Sequence, residues 1–302
     1  MDRADLHLHT TASDGDFAPA EVIRRAAAAG LSAVAVTDHN TVAGVGEALT
    51  AGEARGVRVI PGVEISAAHG DGEVHLLGYF VDWQAPGFGE RLARAERDFA
   101  QALLGRAARM RSLGFWVEDE DVLEFRPEGG YILKSLLEAL LRGDRDRADR
   151  RLDPYRAADL PARLAFFRDY QGPSAPGYVS TAVMPIGEAI DLVRGVGGVP
   201  VLAHPVVSLG LGKPASALEP LLRELAGRGL AGVEVFSSYH SASVSRGLRR
   251  LARRLGLGVT AGSDFHGPSL KPGLEVGQVA GDCREVLDWM EQATGSSSRA
   301  PG

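Results

Sequence analysis

Two histidines separated by one residue lie in the stretch ADLHLHTTASDG at residues 4–15. Side chains alternate faces along an extended strand, so His7 and His9 project from the same side. The Ser-Asp-Gly turn that follows lets Asp14 swing its carboxylate back over the end of the strand. Imidazole nitrogens with a carboxylate oxygen suit zinc, manganese or ferrous ions. A lone His-x-His pair is equally typical of strand-end histidines satisfied by hydrogen bonds, so the assignment depends on the rest of the chain.

The other histidines repeat the same placement. Six of the eight histidines lie on or at the C-terminal ends of predicted strands: His7, His9, His39, His75, His204 and His266. The C-terminal ends of strands in a parallel barrel meet at one rim, where barrel active sites are built. Asp14, Glu64 and Asp264 bring the number of nitrogen and oxygen ligands at this rim to nine. One structural zinc needs about four ligands, so the set predicts two or three ions, with Glu64 as the bridging carboxylate.

The remaining two histidines have a different context. His69 lies in the polar turn AAHGDG and is predicted to be a solvated loop residue. His240, in SSYHSAS, is either a substrate contact or a surface residue. His240 and Asp264 are the candidate catalytic residues, although a carboxylate bound to a metal is usually a poor base.

Strands and helices alternate at both ends of the chain. The patterns predict helices over 19–29 and 41–55 and strands over 31–37, 57–66 and 72–80, with a second β/α series from residue 184 onward. This order predicts parallel strands with right-handed crossovers, and therefore an α/β barrel.

The middle of the chain has a different pattern. Residues 85–183 show helical periodicity and no convincing strand, so we expect a helical insertion, or lid, between barrel segments 1–84 and 184–294. Residues 295–302, GSSSRAPG, are expected to form a disordered tail.

Composition narrows the function classes. With 33 basic against 39 acidic residues, the net charge of −6 gives no electrostatic footprint of a duplex nucleic-acid binder. The apolar runs are too short to span a membrane, and no signal peptide is recognisable, so we expect a cytoplasmic protein without a membrane partner. The single cysteine, Cys283, fits a reducing compartment and argues against thiolate metal sites.

Seven segments of this chain resemble, in order, the PHP superfamily, named for polymerase and histidinol phosphatase. They are DLHLHTTASDG, TDHN, PGVEIS, EVHLLGY, VLAHP, GVEVFSSYHS and GSDFHG. The ASDG and LAHP forms, with a helical insertion in mid-chain, are most similar to the TrpH / RNase AM-like branch. The resemblance implies a distorted (β/α)7 barrel that holds three divalent metal ions, usually Mn²⁺, with Fe²⁺ or Zn²⁺ as alternatives.

The same resemblance implies which side chains hold each ion. One ion would be bound by His7, His9, Glu64 and Asp264, and a second by Glu64, His75 and His204. The third would take Asp14, His39 and His266.

The insertion departs from the pattern of that branch. An arginine and a histidine at the start of a helix are expected to contact the substrate phosphate there, but this chain has RPEGGYILKSL. Gly129, Gly130 and Tyr131 lie where the histidine is expected. Arg126 and Lys134 are therefore the cationic candidates, although Lys134 is equally well explained as an exposed helix residue.

Oxygen and nitrogen ligands without a redox thiol or a nucleophile motif favour hydrolysis. We expect a metal-bridging hydroxide to attack the phosphate ester of a nucleotide or a short oligonucleotide. The alternatives are a phosphatase acting on a non-nucleotide small molecule or a cyclic phosphate, an amidohydrolase-like enzyme, and a non-catalytic metal-binding module. A carbamylated lysine would mark the amidohydrolase, and Lys134, Lys213 and Lys271 lie off the predicted strand ends. Missing ligands would mark the non-catalytic module, and none is missing.

Overall fold

Strands and helices alternate in the part of the chain that the computed structural model describes. That part comprises residues 3–70, 72–124, 132–146, 148–172, 175–179, 184–208, 214–279, 281–282, 288–290 and 292–293. The chain divides into two compact units, one of residues 1–69, 73–93 and 184–302 and the other of residues 70–72 and 94–183.

The first half of the chain contains four strands and five helices among the described residues. In order they are β1 (Arg3–Leu8), α1 (Pro19–Ala28), β2 (Ala33–Val36), α2 (Val45–Glu53), β3 (Arg58–His69), β4 (Gly72–Tyr79), α3 (Phe88–Ser112), α4 (Asp119–Glu124) and α5 (Ile132–Gly143). Proline at the first position of α1 is favourable because its missing N–H would have no helical partner there.

The second half begins with short helices and then returns to alternation. A 3₁₀ turn (Arg150–Tyr155), α6 (Leu160–Phe166) and a π turn (Phe167–Gln171) precede α7 (Ile186–Gly195), β5 (Val199–Leu202), α8 (Pro205–Ser208), a 3₁₀ turn (Ala215–Leu218), α9 (Glu219–Gly227), β6 (Gly232–Ser237), α10 (Ala242–Leu255), β7 (Gly258–Gly262) and β8 (Gly281–Asp282). Gly256 ends α10 in the left-handed conformation, with a φ of 70°, which glycine adopts at little cost.

The strands form one sheet in the order β7-β6-β5-β4-β3-β2-β1-β8. β1, β2 and β3 pair in parallel, as do β5, β6 and β7. The two ends of the seven-stranded series meet, because the His9 N–H donates to the Phe265 carbonyl at 2.9 Å just beyond β7. This nearly closed barrel confirms the predicted fold class. The two-residue β8 adds antiparallel to the outer side of β1 and was not predicted.

The strand that carries His75 differs from the parallel arrangement predicted for it. β3 continues to His69, so Glu64 lies within the strand and not at its end. Only two residues separate β3 from β4, too few for a crossover connection, and β4 runs antiparallel to β5. His75 therefore lies in the middle of its strand, and it reaches the rim because its side chain points into the barrel mouth and contacts Glu64.

Apolar side chains fill both faces of the sheet. Leu8, Val34 and Val36 pack with Val22 and Ile23 of α1. On the other half, strand residues pack against α7, α9 and α10 through Ile190, Leu222 and Leu248. A third cluster consists mainly of strand side chains, among them Leu6, Ile60, Leu77, Tyr79 and Val201. This packing fixes the strand ends on which the polar residues lie.

The second unit has a separate helical core. Leu103, Met110, Val122, Leu137 and Phe166 are buried in it together. The described residues between 94 and 183 contain no strand. Among the described residues, no helix combines the length and the apolar composition that a membrane span requires.

Candidate metal centre

Glu64 lies at the middle of a group of buried histidines. Its Oε2 atom is 3.0 Å from His7 Nε2, 3.1 Å from His9 Nε2 and 3.4 Å from His39 Nε2. Its Oε1 atom is 2.9 Å from His75 Nδ1 and 3.0 Å from His204 Nε2. The two oxygens of one carboxylate thus face two different sets of imidazoles, which is the arrangement that a bridging ligand needs.

Asp264 completes the first set. Its Oδ1 atom is 3.3 Å from His7 Nε2 and 3.1 Å from His9 Nε2. The ligand atoms of His7, His9, Glu64 and Asp264 lie within 4.8 Å of one another. These are the four residues that the family resemblance implies for one ion.

Asp14 lies close to three histidines, and together they form a second set of ligands. Its Oδ2 atom is 3.3 Å from His266 Nε2 and 3.9 Å from His39 Nε2, and its Oδ1 atom is 3.4 Å from His9 Nδ1. The geometry brings together the predicted trio of Asp14, His39 and His266, and it adds His9.

The third set differs from the predicted one by one residue. His39, Glu64 and His75 offer ligand atoms within 4.8 Å of one another, whereas the predicted trio has His204 in the place of His39. His204 nevertheless shares Glu64 Oε1 with His75, and the centroids of the two histidine rings are 5.1 Å apart. The structure therefore places all nine predicted ligands in one continuous cluster.

The turn that carries Asp14 is held by Asp38. The Asp38 carboxylate accepts hydrogen bonds from the Thr10 N–H at 2.8 Å, the Thr10 hydroxyl at 2.8 Å and the Ser13 hydroxyl at 2.7 Å. Gly15 is required because a Cβ there would lie 2.7 Å from the backbone of His9. A buried carboxylate that is itself outside the three ligand sets thus fixes the turn.

Glu234 likewise fixes a ligand, His7, through a hydrogen bond. It is fully buried, and its Oε1 atom accepts a hydrogen bond from His7 Nδ1 at 3.0 Å. Its Oε2 atom accepts the backbone N–H of His204 at 2.8 Å. A proton on His7 Nδ1 leaves the Nε2 lone pair directed at Glu64 and Asp264, so Glu234 fixes both the tautomer and the ring orientation of this ligand.

The carboxylates and imidazoles shift one another's pKa values. Burial acts to raise the pKa of Glu64, but the surrounding histidines hold it well below its usual range. Burial acts to lower the pKa of His9, yet the nearby carboxylates of Asp264 and Glu64 raise it to about 9. For His39 burial prevails and lowers the pKa to about 3. The centre therefore contains an ionised carboxylate beside both protonated and neutral imidazoles at neutral pH.

The donor atoms of the centre fit divalent metal ions. His9 Nε2, Asp14 Oδ2 and Asp264 Oδ1 are buried and have no hydrogen-bond partner among the described residues. Buried polar atoms without partners are costly, and here they converge on the same small volumes. Imidazole nitrogens mixed with carboxylate oxygens suit Mn²⁺, Fe²⁺ and Zn²⁺, and divalent ions would satisfy these atoms.

The other predicted site residues lie apart from the nine. His69 is the last residue of β3 and not part of a solvated loop; it is half-buried, with Nε2 3.9 Å from Glu224 Oε2. Arg126 lies outside the described residues, as do Cys283 and residues 295–302. Lys134 belongs to α5, but its side chain is likewise outside what the structure describes.

His240 lines a cavity of about 530 Å³ together with Phe236, Arg246 and Arg249. Its Nδ1 atom donates to the Val235 carbonyl at 2.8 Å, and its Nε2 atom is buried with no hydrogen-bond partner in the part of the chain that the structure describes. Burial lowers the pKa of His240, which keeps the ring neutral. The neutral ring leaves His240 Nε2 with a lone pair that no described residue uses.

Sequence reasoning missed three residues of the site: Asp38, Glu234 and Lys271. The signal for Glu234 was a charge within the otherwise apolar strand GVEVFS, since a carboxylate is rarely buried without a partner. Lys271 lies in a loop, yet its Nζ atom contacts the Asp264 carboxylate. Nothing in the spacing of the sequence indicates that contact.

Comparison with known proteins gives matches along almost the whole chain. The family model described as the PHP domain matches residues 5–118. The 3′,5′-nucleoside bisphosphate phosphatase of Chromobacterium violaceum is 32% identical, over 92% of this chain and 92% of its own length. The phosphoribosyl 1,2-cyclic phosphate 1,2-diphosphodiesterase of Eggerthella lenta is 33% identical, over 87% of this chain and 94% of its own.

Two solved structures have the same fold. An amidohydrolase from Chromobacterium violaceum, with bound sulfate and no metal, has a TM-score of 0.73 and 29% sequence identity, over 96% of each chain. A protein from Bifidobacterium adolescentis described as a metal-dependent phosphoesterase has a TM-score of 0.70 and 28% identity, also over 96% of each chain.

Proposed function

The chain belongs to the PHP family of phosphoesterases, and on this premise we propose that it hydrolyses a phosphate ester of a nucleotide or a short oligonucleotide. The observation that supports this most is the cluster of nine nitrogen and oxygen side chains around Glu64. Relatives that align over nearly the whole chain are named for phosphate release from a nucleoside bisphosphate and for cleavage of a cyclic phosphate diester.

We infer that the centre holds three divalent ions, one for each ligand set, with Mn²⁺ favoured and Fe²⁺ or Zn²⁺ as alternatives. His204 would join the set formed by Glu64 and His75. Such ions, when bound, supply Lewis acidity, which makes water more acidic near neutral pH and offsets the charge that builds on a phosphoryl group.

Three carboxylates of the protein position the ligands. Glu64 faces both imidazole sets, so it keeps the ion sites at a fixed spacing. Glu234 accepts a hydrogen bond from the His204 N–H, and Asp38 accepts one from the Thr10 N–H. Both carboxylates thereby fix segments that carry ligands. Eight of the nine ligands are buried and His75 is only partly exposed, so the centre is largely shielded from bulk water.

The cavity beside His240 is our candidate for the nucleoside part of the substrate. Phe236 offers an aromatic face, and base stacking on such faces contributes about 1–3 kcal/mol per base. Arg246 and Arg249 add guanidinium groups, which suit phosphate oxygens.

The two other classes fit the site less well. In an amidohydrolase-like enzyme a carbamylated lysine would bridge the ions, whereas here the carboxylate that faces both imidazole sets is that of Glu64. A non-catalytic module is expected to have lost ligands, whereas all nine are present and close together.

A phosphate-release screen with manganese-loaded protein tests the proposal. Four substrate classes are compared with an aryl phosphate: a nucleoside monophosphate, a 3′,5′-bisphosphate, a cyclic phosphate and a 5′-phosphorylated short RNA. We expect one nucleotide class to be turned over well above the aryl phosphate, and the Glu64→Gln variant to be inactive on all of them. Equal, slow rates on every class, unchanged in Glu64→Gln, would refute the proposal.

A further inference from the structure

Lys271 reaches the metal centre from the loop after β7. Its Nζ atom donates to the Asp264 carbonyl oxygen at 2.6 Å and to the Oδ2 atom of the same residue. The lysine side chain is only 12% exposed. Its Nζ atom also lies 4.7 Å from the centroid of the Tyr239 ring, and that ring packs edge-on against His204. The ammonium is therefore at the mouth of the centre, between the ends of β5 and β7.

Asp264 has a different partner on each oxygen. Oδ1 faces His7 and His9, whereas Oδ2 faces Lys271. Because the two oxygens are separated in this way, an ion bound through Oδ1 leaves the contact with Lys271 in place. Lys271 is thus compatible with a loaded centre.

The loop that carries Lys271 is anchored. Asp16 accepts hydrogen bonds from the Ser269 N–H at 2.8 Å and from the Ser269 hydroxyl. The Lys271 N–H donates to the Gly267 carbonyl at 2.9 Å. Gly267 has a φ of 105°, which only glycine adopts readily, and a Cβ there would lie 2.4 Å from Asp16. The ammonium is held in place by a rigid turn.

The donor count of the ammonium points to a further acceptor. A lysine ammonium has three N–H donors, and the described residues provide two acceptors for Lys271, both on Asp264. The remaining donor has no acceptor among the described residues, and the Nζ atom that carries it lies beside Asp264 and the Tyr239 ring. A phosphoryl oxygen is the strongest acceptor that a phosphoesterase would bring there.

We propose that Lys271 is a substrate-binding residue whose ammonium donates to a phosphoryl oxygen of the substrate beside Asp264. This inference rests on the proposed function. Part of the phosphate binding then comes from a residue of the barrel and not from the insertion.

The test measures binding of inorganic phosphate to manganese-loaded protein by calorimetry, together with the metal content of each variant. Lys271→Met should weaken phosphate binding by roughly ten- to a hundredfold, the range expected for one charge-assisted hydrogen bond, without loss of metal. Lys271→Arg should recover most of the affinity because it keeps the charge. Arg250→Met, an exposed charge removal on α10, is the matched control and should bind phosphate like the wild type.

Two results would overturn the inference. Unchanged phosphate affinity in Lys271→Met would show that the ions bind phosphate without it. Loss of metal in Lys271→Met would instead make Lys271 a positioning residue for Asp264. If Lys271→Met does not fold, Lys271→Gln replaces it, with thermal unfolding as the check. Phosphate binding is measured without turnover, so a failure of the proposed function in the screen remains distinguishable from a failure here.

Discussion

Glu234 offers the sharpest test of how the centre is built, because it is buried and lies outside the three ligand sets. Its two oxygens accept from the His7 ring at 3.0 Å and from the His204 N–H at 2.8 Å. In Glu234→Gln one oxygen becomes an NH₂ group, so only one of these two donors keeps an acceptor. The shape of the side chain is almost unchanged, and the substitution therefore isolates hydrogen bonding from packing.

The size of the effect follows from the bond that is lost. A hydrogen bond to a charged group contributes about 1.5–3 kcal/mol, and loss of a carboxylate behind a metal-bound histidine typically weakens metal binding by about ten- to a hundredfold. If the amide N–H faces His7 Nδ1, the ring must carry its proton on Nε2, where an ion would bind. We therefore expect manganese affinity to fall within that range for the ion held by His7.

The assay is competition for Mn²⁺ with a fluorescent chelator, at one fixed pH for all proteins because protonation of the ligand imidazoles competes with the metal. Glu90→Gln, an exposed exchange of the same kind on α3, is the matched control. Thermal unfolding of the metal-free proteins is recorded in parallel. Wild-type metal affinity in Glu234→Gln, with a lowered unfolding temperature alone, would show that Glu234 supports the fold and does not orient the ligand.

The remaining predictions concern the ions, the ligands and the insertion. Elemental analysis after manganese loading should give close to three ions per chain, one for each ligand set, and a value near one would contradict this model. His204→Ala should lower the rate by several orders of magnitude and leave the barrel folded, while His69→Ala should change little; similar losses in both would refute the ligand assignment. Metal affinity should rise as pH increases toward about 9, because His9 has a pKa of about 9 and must lose its proton to bind an ion; a pH-independent affinity between about 6.5 and 9 would contradict that ionisation. Arg126→Ala or Lys134→Ala should slow nucleotide turnover about tenfold or more, with no such loss on an aryl phosphate, if the insertion contributes to substrate binding.

The ligands were predictable because their positions follow a simple rule of the fold. Side chains at the C-terminal ends of parallel strands meet at one rim, and this rule applies to His7, His9 and Asp264 without any knowledge of their partners. The rule failed locally for Glu64 and His75. Only two residues separate β3 from β4, too few for a crossover, and the alternating pattern of a strand is the same in either direction.

The supporting residues could not be predicted in this way. Glu234 is 227 residues from His7, and Asp5 is 258 residues from the Ser263 N–H that it accepts. Such pairs arise only when distant strands become neighbours in a closed sheet. Lys271 depends on a loop whose path is fixed by Asp16 and Gly267, and periodicity carries no information on loop paths.

Asp5, Asp38 and Glu234, the carboxylates that support the ligands, have one feature in common. Each of them accepts a backbone N–H in a segment that carries ligands just beyond a strand. The pairs are Asp38 with Thr10, Asp5 with Ser263 and Glu234 with His204. In each pair the carboxylate belongs to one strand or to its end, and the N–H that it accepts follows a different strand.

This arrangement explains how the ligand backbone keeps unfavourable conformations. His204 has a φ of 20° and Asp264 a φ of 55°, and non-glycine residues in such regions cost about 1–3 kcal/mol each. Glu234 holds the N–H of His204, and Asp5 holds the N–H next to Asp264, so the strained residues cannot relax without breaking buried hydrogen bonds to charged groups. Hydrogen bonds within the chain thus direct these ligands toward Glu64, and the free energy of binding ions would add to the stability of the folded state.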